Sequence, residues 1–113
     1  MVKIKRVYDH VSPDDGRRIL VDRLWPRGIK KADAAIDEWL KDIAPSTDLR
    51  KWYSHDPAKW GGFKKRYRME LKDKMEIIDR LREESKRLTI TLLFSAKAPE
   101  LNNAAALKEF IEQ

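Results

Sequence analysis

Cysteine is absent from this chain of 113 residues, and histidine occurs only twice, as His10 and His55. The absence of cysteine excludes disulfide bonds, thiolate metal ligands and a cysteine nucleophile. Neither histidine has a further ligand at the spacing of a zinc site, so the sequence predicts no metal and no other cofactor. Glycine is scarce too, with 4 residues, and the pair in "WGGF" is too weak a signal for a glycine-rich phosphate loop.

Long apolar runs are also lacking. No stretch approaches the roughly 18 apolar residues of a membrane span. The first ten residues, "MVKIKRVYDH", alternate apolar and basic side chains and lack the apolar core of a signal peptide. We therefore expect a cytoplasmic protein without a membrane partner.

Charge is what the chain has in abundance. Charged residues make up 39% of the sequence, the formal net charge is +6, and the isoelectric point is about 9.6. This balance favours acidic partners, which are phosphate-bearing small molecules or nucleic acids. A solvated surface with spare lysines explains the charge equally well. The length fits a single domain over residues 1–113 with room for a core.

Three stretches have the patterns of strands. Residues 2–7 alternate apolar and basic side chains, which is typical of a half-buried strand. The turn residues "SPDDG" at 12–16 separate it from "RILVDRLW" at 18–25, whose apolar run indicates burial on both faces. "LTITLLF" at 88–94 is β-branched and apolar, and it is predicted to be the central strand.

Helical spacing dominates the rest of the chain. Residues 33–43 fit an amphipathic helix, with a strand through Trp39 as the alternative, and Ser46 is placed to cap a short helix through Tyr53. From Pro57 to about residue 86 the spacing predicts one long helix, or two with a break near Lys72, and Pro99 marks the start of the last helix. The prediction is an α/β fold: a single compact domain with a small, mostly parallel sheet covered by helices.

Two polar loops follow the predicted inner strands. Ligands of open α/β sheets bind beyond the carboxyl ends of the strands, so parallel neighbours ending at Trp25 and Phe94 would bring both loops to one rim. The predicted ligand-binding residues there are Asp22, Arg23, Trp25, Arg27, Ser95, Lys97 and Asn102. Arginine forks suit phosphate oxygens, and the N-terminus of the last helix adds positive potential. Taken singly, each of these residues is better explained by a structural role, as an ion pair, a core ring or a turn, and only the combination of the two polar loops favours a binding site.

His55 and Asp56 are the candidate catalytic pair. A histidine can act as a general base near neutral pH, and the adjacent Asp56 could tune it. The structural alternative is that His55 lies on the surface and Asp56 caps the helix that begins at Pro57.

Residues 50–68, "RKWYSHDPAKWGGFKKRYR", interleave aromatic and basic side chains. Aromatic rings stack on bases and lysines follow phosphates, which indicates a nucleic-acid-binding or regulatory module that uses the basic helix face. A buried aromatic stripe with a solvated basic back explains the same spacing. A third hypothesis is an oligomeric scaffold in which these residues are only structural.

Several motifs together resemble the YeaO-like family of small prokaryotic proteins of unknown function, over nearly the whole chain. They are "IKRVYD" at 4–9, "VDRLWPRG" at 21–28, "WLKDIAPS" at 39–46, "LRKWYSHDP" at 49–57, "FKKRYRMEL" at 63–71, "TLLFSAK" at 91–97 and "NNAAAL" at 102–107. The resemblance implies a single α/β domain and no established activity. It marks as signature polar residues Asp22, Arg23, Trp25, Arg27, Ser46, Arg50, His55, Asp56 and Asn102. Ser46 and Arg50 therefore join the predicted ligand-binding residues.

The chain departs from the family pattern at its last loop. Members usually read Leu-Tyr-Ala-Ala-Arg-Asp and then, two residues on, His-Asn. Here Phe94 replaces the tyrosine, Ser95 an alanine, Ala98 the aspartate and Leu101 the histidine. If that loop carries out acid–base chemistry in relatives, the resemblance implies that this protein binds its ligand without turning it over.

Overall fold

A four-stranded parallel sheet organises the fold. The computed structural model describes all 113 residues, with β1 (Val2–Arg6), β2 (Arg17–Leu20), β3 (Glu38–Trp39) and β4 (Ile90–Phe94) in the order β1-β4-β2-β3. β1 and β2 each pair in parallel with β4 and do not pair with each other. The predicted α/β class and the parallel sheet are confirmed.

The two inner strands, β2 and β4, are buried on both faces, as their apolar runs predicted. Ile19 and Leu92 belong to the main core cluster, whereas Leu20 and Leu93 belong to a second cluster on the opposite face. All four side chains have no exposed surface. This alternation is the period of two that a strand imposes, with apolar side chains at both phases.

Helices cover one face of the sheet. They are α2 (Thr47–Tyr53), α3 (Trp60–Leu71), α4 (Met75–Arg87) and α5 (Asn103–Glu112). The chain has one further helix, the single turn α1 (Lys31–Ala34). Phe63, Tyr67, Ile78, Leu81 and Leu107 supply their share of the main cluster. None of the helices has the length and apolar character that a membrane span requires.

An irregular segment covers the other face. Trp25 and Trp39 pack against Leu20 and Leu93, and their rings meet edge to face with centroids 5.5 Å apart. The Trp25 indole donates to the Ile29 carbonyl at 2.7 Å, which fixes the ring on the sheet. Two tryptophans therefore replace the helix that usually covers the second face of a parallel sheet.

The predicted helix over residues 33–43 is wrong, and the alternative strand through Trp39 is the one that forms. α1 ends where Ala35 takes a left-handed conformation (φ 49°), and Trp39 then pairs with Leu20 as part of β3. The apolar residues of the supposed helical stripe are split between the faces of the sheet. Trp39 joins the second cluster, whereas Leu40 and Ile43 pack in the main cluster.

Other element bounds differ less. β2 ends at Leu20 rather than at Trp25, and the last helix begins at Asn103 rather than at Pro99. The short helix that Ser46 caps is confirmed through Tyr53. The break near Lys72 is also confirmed, as a 3-10 turn between α3 and α4.

Gly61 and Gly62 stand in a helix despite their low helix propensity, and the structure explains one of them. A Cβ atom on Gly62 would lie 2.8 Å from Cη2 of Trp52, so the glycine permits α2 and α3 to approach closely. Around Gly61, by contrast, there is no atom within 4 Å of the position of a Cβ. Close packing therefore requires glycine at position 62 only.

A buried ion cluster holds the start of β2. The Asp15 carboxylate accepts from Lys5 Nζ at 2.7 Å, from Arg18 Nη1 at 2.5 Å and from the Ser12 amide at 3.0 Å. Burial alone would raise the pKa of Asp15, but these hydrogen bonds and the Lys5 charge outweigh it and lower the pKa from 3.8 to about 2. Asp15 is therefore a charged group deep in the fold.

Candidate functional site

The carboxyl ends of β2 and β4 do meet at one rim. The strands are parallel neighbours, with Ile19 opposite Leu92, and the chain continues from them to Asp22 and Ser95. Asp22 Oδ2 accepts from the Ser95 amide at 2.9 Å and from Ser95 Oγ at 2.7 Å. The hydroxyl of Ser95 therefore donates its hydrogen bond to the Asp22 carboxylate. No histidine accepts from this hydroxyl, so Ser95 lacks the base that would activate it as a nucleophile.

The neighbouring asparagines have different tasks. Asn103 donates to Asp22 Oδ1 at 3.0 Å and to the Val21 carbonyl at 3.0 Å. Asn102 is buried and caps α5, because its Oδ1 accepts from the Ala105 amide at 2.8 Å. The sequence analysis named Asn102 as a ligand-binding residue and missed Asn103. Had the start of the last helix been predicted at Asn103 rather than at Pro99, Asn102 would have been recognised as the helix cap and Asn103 as the residue free to contact Asp22.

Arg23 is the least satisfied residue of the rim. Its Nη2 donates to the Ala44 carbonyl at 3.2 Å, and it takes part in none of the ion pairs. Its Nε is the one buried side-chain polar atom of the chain without a hydrogen-bond partner. A buried donor without an acceptor costs free energy, so this guanidinium is an unusual feature that needs an explanation.

Two carboxylates, those of Asp22 and Glu70, lie near Arg23 but form no ion pair with it. Glu70 accepts from the Ser46 amide at 2.8 Å and from Ser46 Oγ at 2.5 Å, so Ser46 serves both Glu70 and the cap of α2. Burial raises the pKa of Tyr67 well above its usual range; the charges of Glu70 and Asp22 raise it further, and that of Arg23 lowers it. The neutral Tyr67 hydroxyl donates to the Ile43 carbonyl at 2.6 Å beneath this group of charges.

Three of the remaining predicted basic residues are free at the surface. Arg27, Arg50 and Lys97 are exposed, and none of their side chains has a hydrogen-bond partner. The backbone of Arg27 is nevertheless fixed, because its carbonyl accepts from the Tyr8 hydroxyl at 2.9 Å. Trp25 is half-buried beneath the second face and offers no free ring for stacking on a base.

His55 and Asp56 lie at the end of α2. His55 is exposed, has a left-handed backbone (φ 56°), and its ring centroid is 6.2 Å from that of Tyr53. Asp56 Oδ1 accepts from the Ala58 amide at 3.0 Å, which is the predicted capping role. Burial raises the pKa of Tyr53, and the charge of Asp56 raises it further. His55 makes no hydrogen bond to Asp56 or to any rim residue.

β1 contributes two rim residues that sequence reasoning missed. Arg6 donates to the carbonyls of Ala96 at 2.9 Å and Ser95 at 3.3 Å, and its guanidinium lies 4.9 Å from the Tyr8 ring centroid. Tyr8 in turn binds the loop that contains Arg27. The end of β1 thus connects both polar loops, and the only signal in the sequence was "RVYD" at 6–9, which begins at the last residue of the strand.

The whole chain matches a family of known sequences. Residues 1–113 match the model of the family described as the inactive DUF488-N3 subclade. The chain belongs to this family. This match, together with the 46% identity to YeaO of Escherichia coli, confirms the resemblance to YeaO-like proteins that was drawn from the motifs.

Proteins that resemble the chain along nearly its whole length are themselves called uncharacterized. The chain is similar to the uncharacterized protein YeaO of Escherichia coli (strain K12), with 46% identity over 97% of this chain and 96% of that protein. The uncharacterized protein Rv3073c of Mycobacterium tuberculosis (strain ATCC 25618 / H37Rv) is 40% identical over 97% of this chain and 92% of its own length. No solved structure gives a significant match.

Proposed function

We propose that this protein binds a phosphate-type anion at the rim formed by the carboxyl ends of β2 and β4, without catalysing a reaction. The observation that carries the proposal is Arg23, a partly exposed guanidinium with no ion pair and a buried Nε that lacks an acceptor. An arginine fork left incomplete by its own protein is suited to the oxygens of a phosphate or carboxylate ligand.

The nearby carboxylates do not substitute for that ligand. The two oxygens of Asp22 accept three hydrogen bonds from Ser95 and Asn103, and those of Glu70 accept two from Ser46. Their charges still weaken the attraction of an anion, so we expect weak binding at this site. Arg27, exposed four residues further along, supplies a second positive charge that can turn toward the same ligand.

Two observations favour binding without turnover. The only candidate base, His55, lies at the exposed end of α2 and contacts no rim residue, while Ser95 donates its proton to Asp22. The family is also described as the inactive DUF488-N3 subclade. A ligand at Arg23 would therefore meet groups that bind and orient it, with no base positioned to accept a proton from it.

Thermal unfolding with and without inorganic phosphate tests the proposal. At a hundredfold excess over the dissociation constant, phosphate should stabilise the wild-type protein by about 2.7 kcal/mol. Arg23→Ala should remove most of this gain, and Arg27→Ala a smaller part. Arg27→Lys should recover little of what Arg27→Ala loses, because the bidentate fork is missing.

Phosphate also stabilises proteins without binding, because it is excluded from their surface. Arg87→Ala, at an exposed arginine near the end of α4, is the matched control and should keep the full shift. Equal phosphate-induced shifts in the wild type, Arg23→Ala and Arg87→Ala would mean that exclusion alone acts, and the site would be rejected.

A further inference from the structure

The positive charge of the protein is concentrated in one part of the fold. Residues 50–68, which form the second half of α2 and most of α3, contain 7 of the 25 lysines and arginines but only 1 of the 19 acidic residues. The rest of the chain has 18 of each and is neutral overall. The whole net charge of +6 thus belongs to this segment, and its one acid, Asp56, is occupied as a helix cap.

The basic residues of α3 differ from those of α4 in their partners. On α4, Arg80, Arg82 and Lys86 each pair with a carboxylate on the same helix. On α3, only Lys64 forms an ion pair, with Glu109 at 3.3 Å. The exposed residues Lys65, Arg66 and Arg68 form none, so their charge is available to an external partner.

Aromatic rings hold several of these cations in place. The Arg66 guanidinium lies 3.9 Å from the ring centroid of Trp52, and the Lys59 ammonium lies 5.1 Å from the same ring. The Arg68 guanidinium lies 5.4 Å from the Phe110 ring centroid. Side chains held in this way lose less conformational entropy when they bind.

A groove runs beside these residues between α3 and α5. Its volume is about 330 Å³, and Lys65 and Arg68 lie along one wall with Gly61, whose backbone is open to the groove. Glu109, on the opposite wall, is already paired with Lys64. The groove is therefore a concave surface with unpaired positive charge on the α3 side.

We propose that Lys65, Arg66 and Arg68, the α3 basic surface, bind the phosphodiester backbone of a nucleic acid. Clustered lysines and arginines along one helix of a protein with a high isoelectric point are the electrostatic pattern of such binding. A protein partner fits less well, because Met69 is the one large apolar side chain exposed on α3. Since Trp52 and Phe110 are covered by arginines, bases find no free ring, and recognition is independent of sequence.

Fluorescence anisotropy with a labelled DNA duplex of about 20 base pairs, over a salt series that starts near 50 mM, measures the interaction. A single strand of the same length is the second probe. Each lost phosphate contact should lower affinity about 8-fold at 0.1 M salt, because the logarithmic slope is about −0.9 per contact on duplex DNA. Replacing both Lys65 and Arg68 by glutamine should therefore weaken binding roughly 60-fold and reduce the slope by about 1.8.

A matched control distinguishes binding at the α3 basic surface from nonspecific attraction by the overall net charge. Lys65→Glu/Arg68→Glu and Lys86→Glu/Arg87→Glu change the net charge equally, and all four residues are exposed. Only the first pair should abolish binding, with both proteins folded by circular dichroism. The glutamine variant covers the case in which the glutamate variant does not fold.

Three results would overturn the proposal. They are no binding to either probe at low salt, an equal loss in both charge-reversed proteins, and a poly-glutamate peptide of the same length binding as tightly as the nucleic acids. Arg23→Ala should leave nucleic-acid binding unchanged, and Lys65→Glu/Arg68→Glu should leave the phosphate-induced thermal shift unchanged. The proposal for the α3 basic surface and the proposal for the rim site can therefore be rejected independently of each other.

Discussion

Replacing the buried Asp15 by asparagine should be among the most destabilising single changes in the protein. Asp15 is 3% exposed and its partner Arg18 is also 3% exposed, so Asp15→Asn leaves a buried guanidinium without its countercharge. Breaking a buried ion pair from one side typically costs about 3 to 5 kcal/mol. We expect a loss near the lower limit, because asparagine can still accept from the Ser12 amide.

The same residue predicts a pH dependence. Because the folded-state pKa of Asp15 is about 2 and its usual value is 3.8, the charged form stabilises the fold above about pH 4, and this contribution is lost as the pH falls toward 2. The shift corresponds to about 2 kcal/mol, at 1.36 kcal/mol per pKa unit. The difference in unfolding free energy between wild type and Asp15→Asn should therefore shrink by that amount in acid.

Urea-induced unfolding, followed by circular dichroism from neutral pH to about pH 2, measures both effects. The matched control is Asp14→Asn, since Asp14 is exposed and its side chain has no partner, and this change should stay within about 0.5 kcal/mol of wild type. An Asp15→Asn protein as stable as Asp14→Asn, or a difference from wild type that stays constant across this pH range, would refute the assignment of a charged, ion-paired Asp15.

Two further predictions concern packing. Gly61→Ala should stabilise the protein by up to about 1 kcal/mol through helix propensity, whereas Gly62→Ala should destabilise it by about 1 to 3 kcal/mol because its Cβ would meet Trp52; equal thermal shifts would contradict this account of the α2–α3 contact. Leu92→Asp and Leu93→Asp each place a charge at a position without exposed surface, and both should lose the cooperative melting transition. Wild-type melting of either variant would contradict burial on that face of β4.

The strands with strong local patterns were predictable. β2 and β4 are apolar at both phases of the strand period, so burial on both faces and an inner position in the sheet followed from the sequence. β3 has only two residues, Glu38 and Trp39, which is too short for any period to show. The wrong helix over 33–43 arose because residues packed on opposite faces of the sheet happen to follow helical spacing.

The rim was predictable as a place but not as a network. The contact of Asp22 with Ser95 follows from two strands being parallel neighbours. The surroundings of Arg23 depend on the Ala44 carbonyl and on Tyr67, which tertiary packing brings together from separate parts of the chain. No local pattern in "DRLWPRG" indicates whether its arginines are satisfied by the protein itself.

The strand order also constrains how the chain can acquire its structure. β1 and β2 are close in sequence but do not pair with each other. Both pair with β4 instead, where Val2 and Arg17 each lie opposite Ile90. Apart from the two-residue pairing of β2 with β3, the ladders that hold these two strands join residues that are more than 70 positions apart, which is the long-range topology that slows folding. A growing polypeptide that has not yet reached residue 90 can form helices α2 to α4 and the short β2–β3 pairing, but it lacks the central strand of the sheet. The apolar faces of these helices therefore stay exposed until β4 has been synthesised.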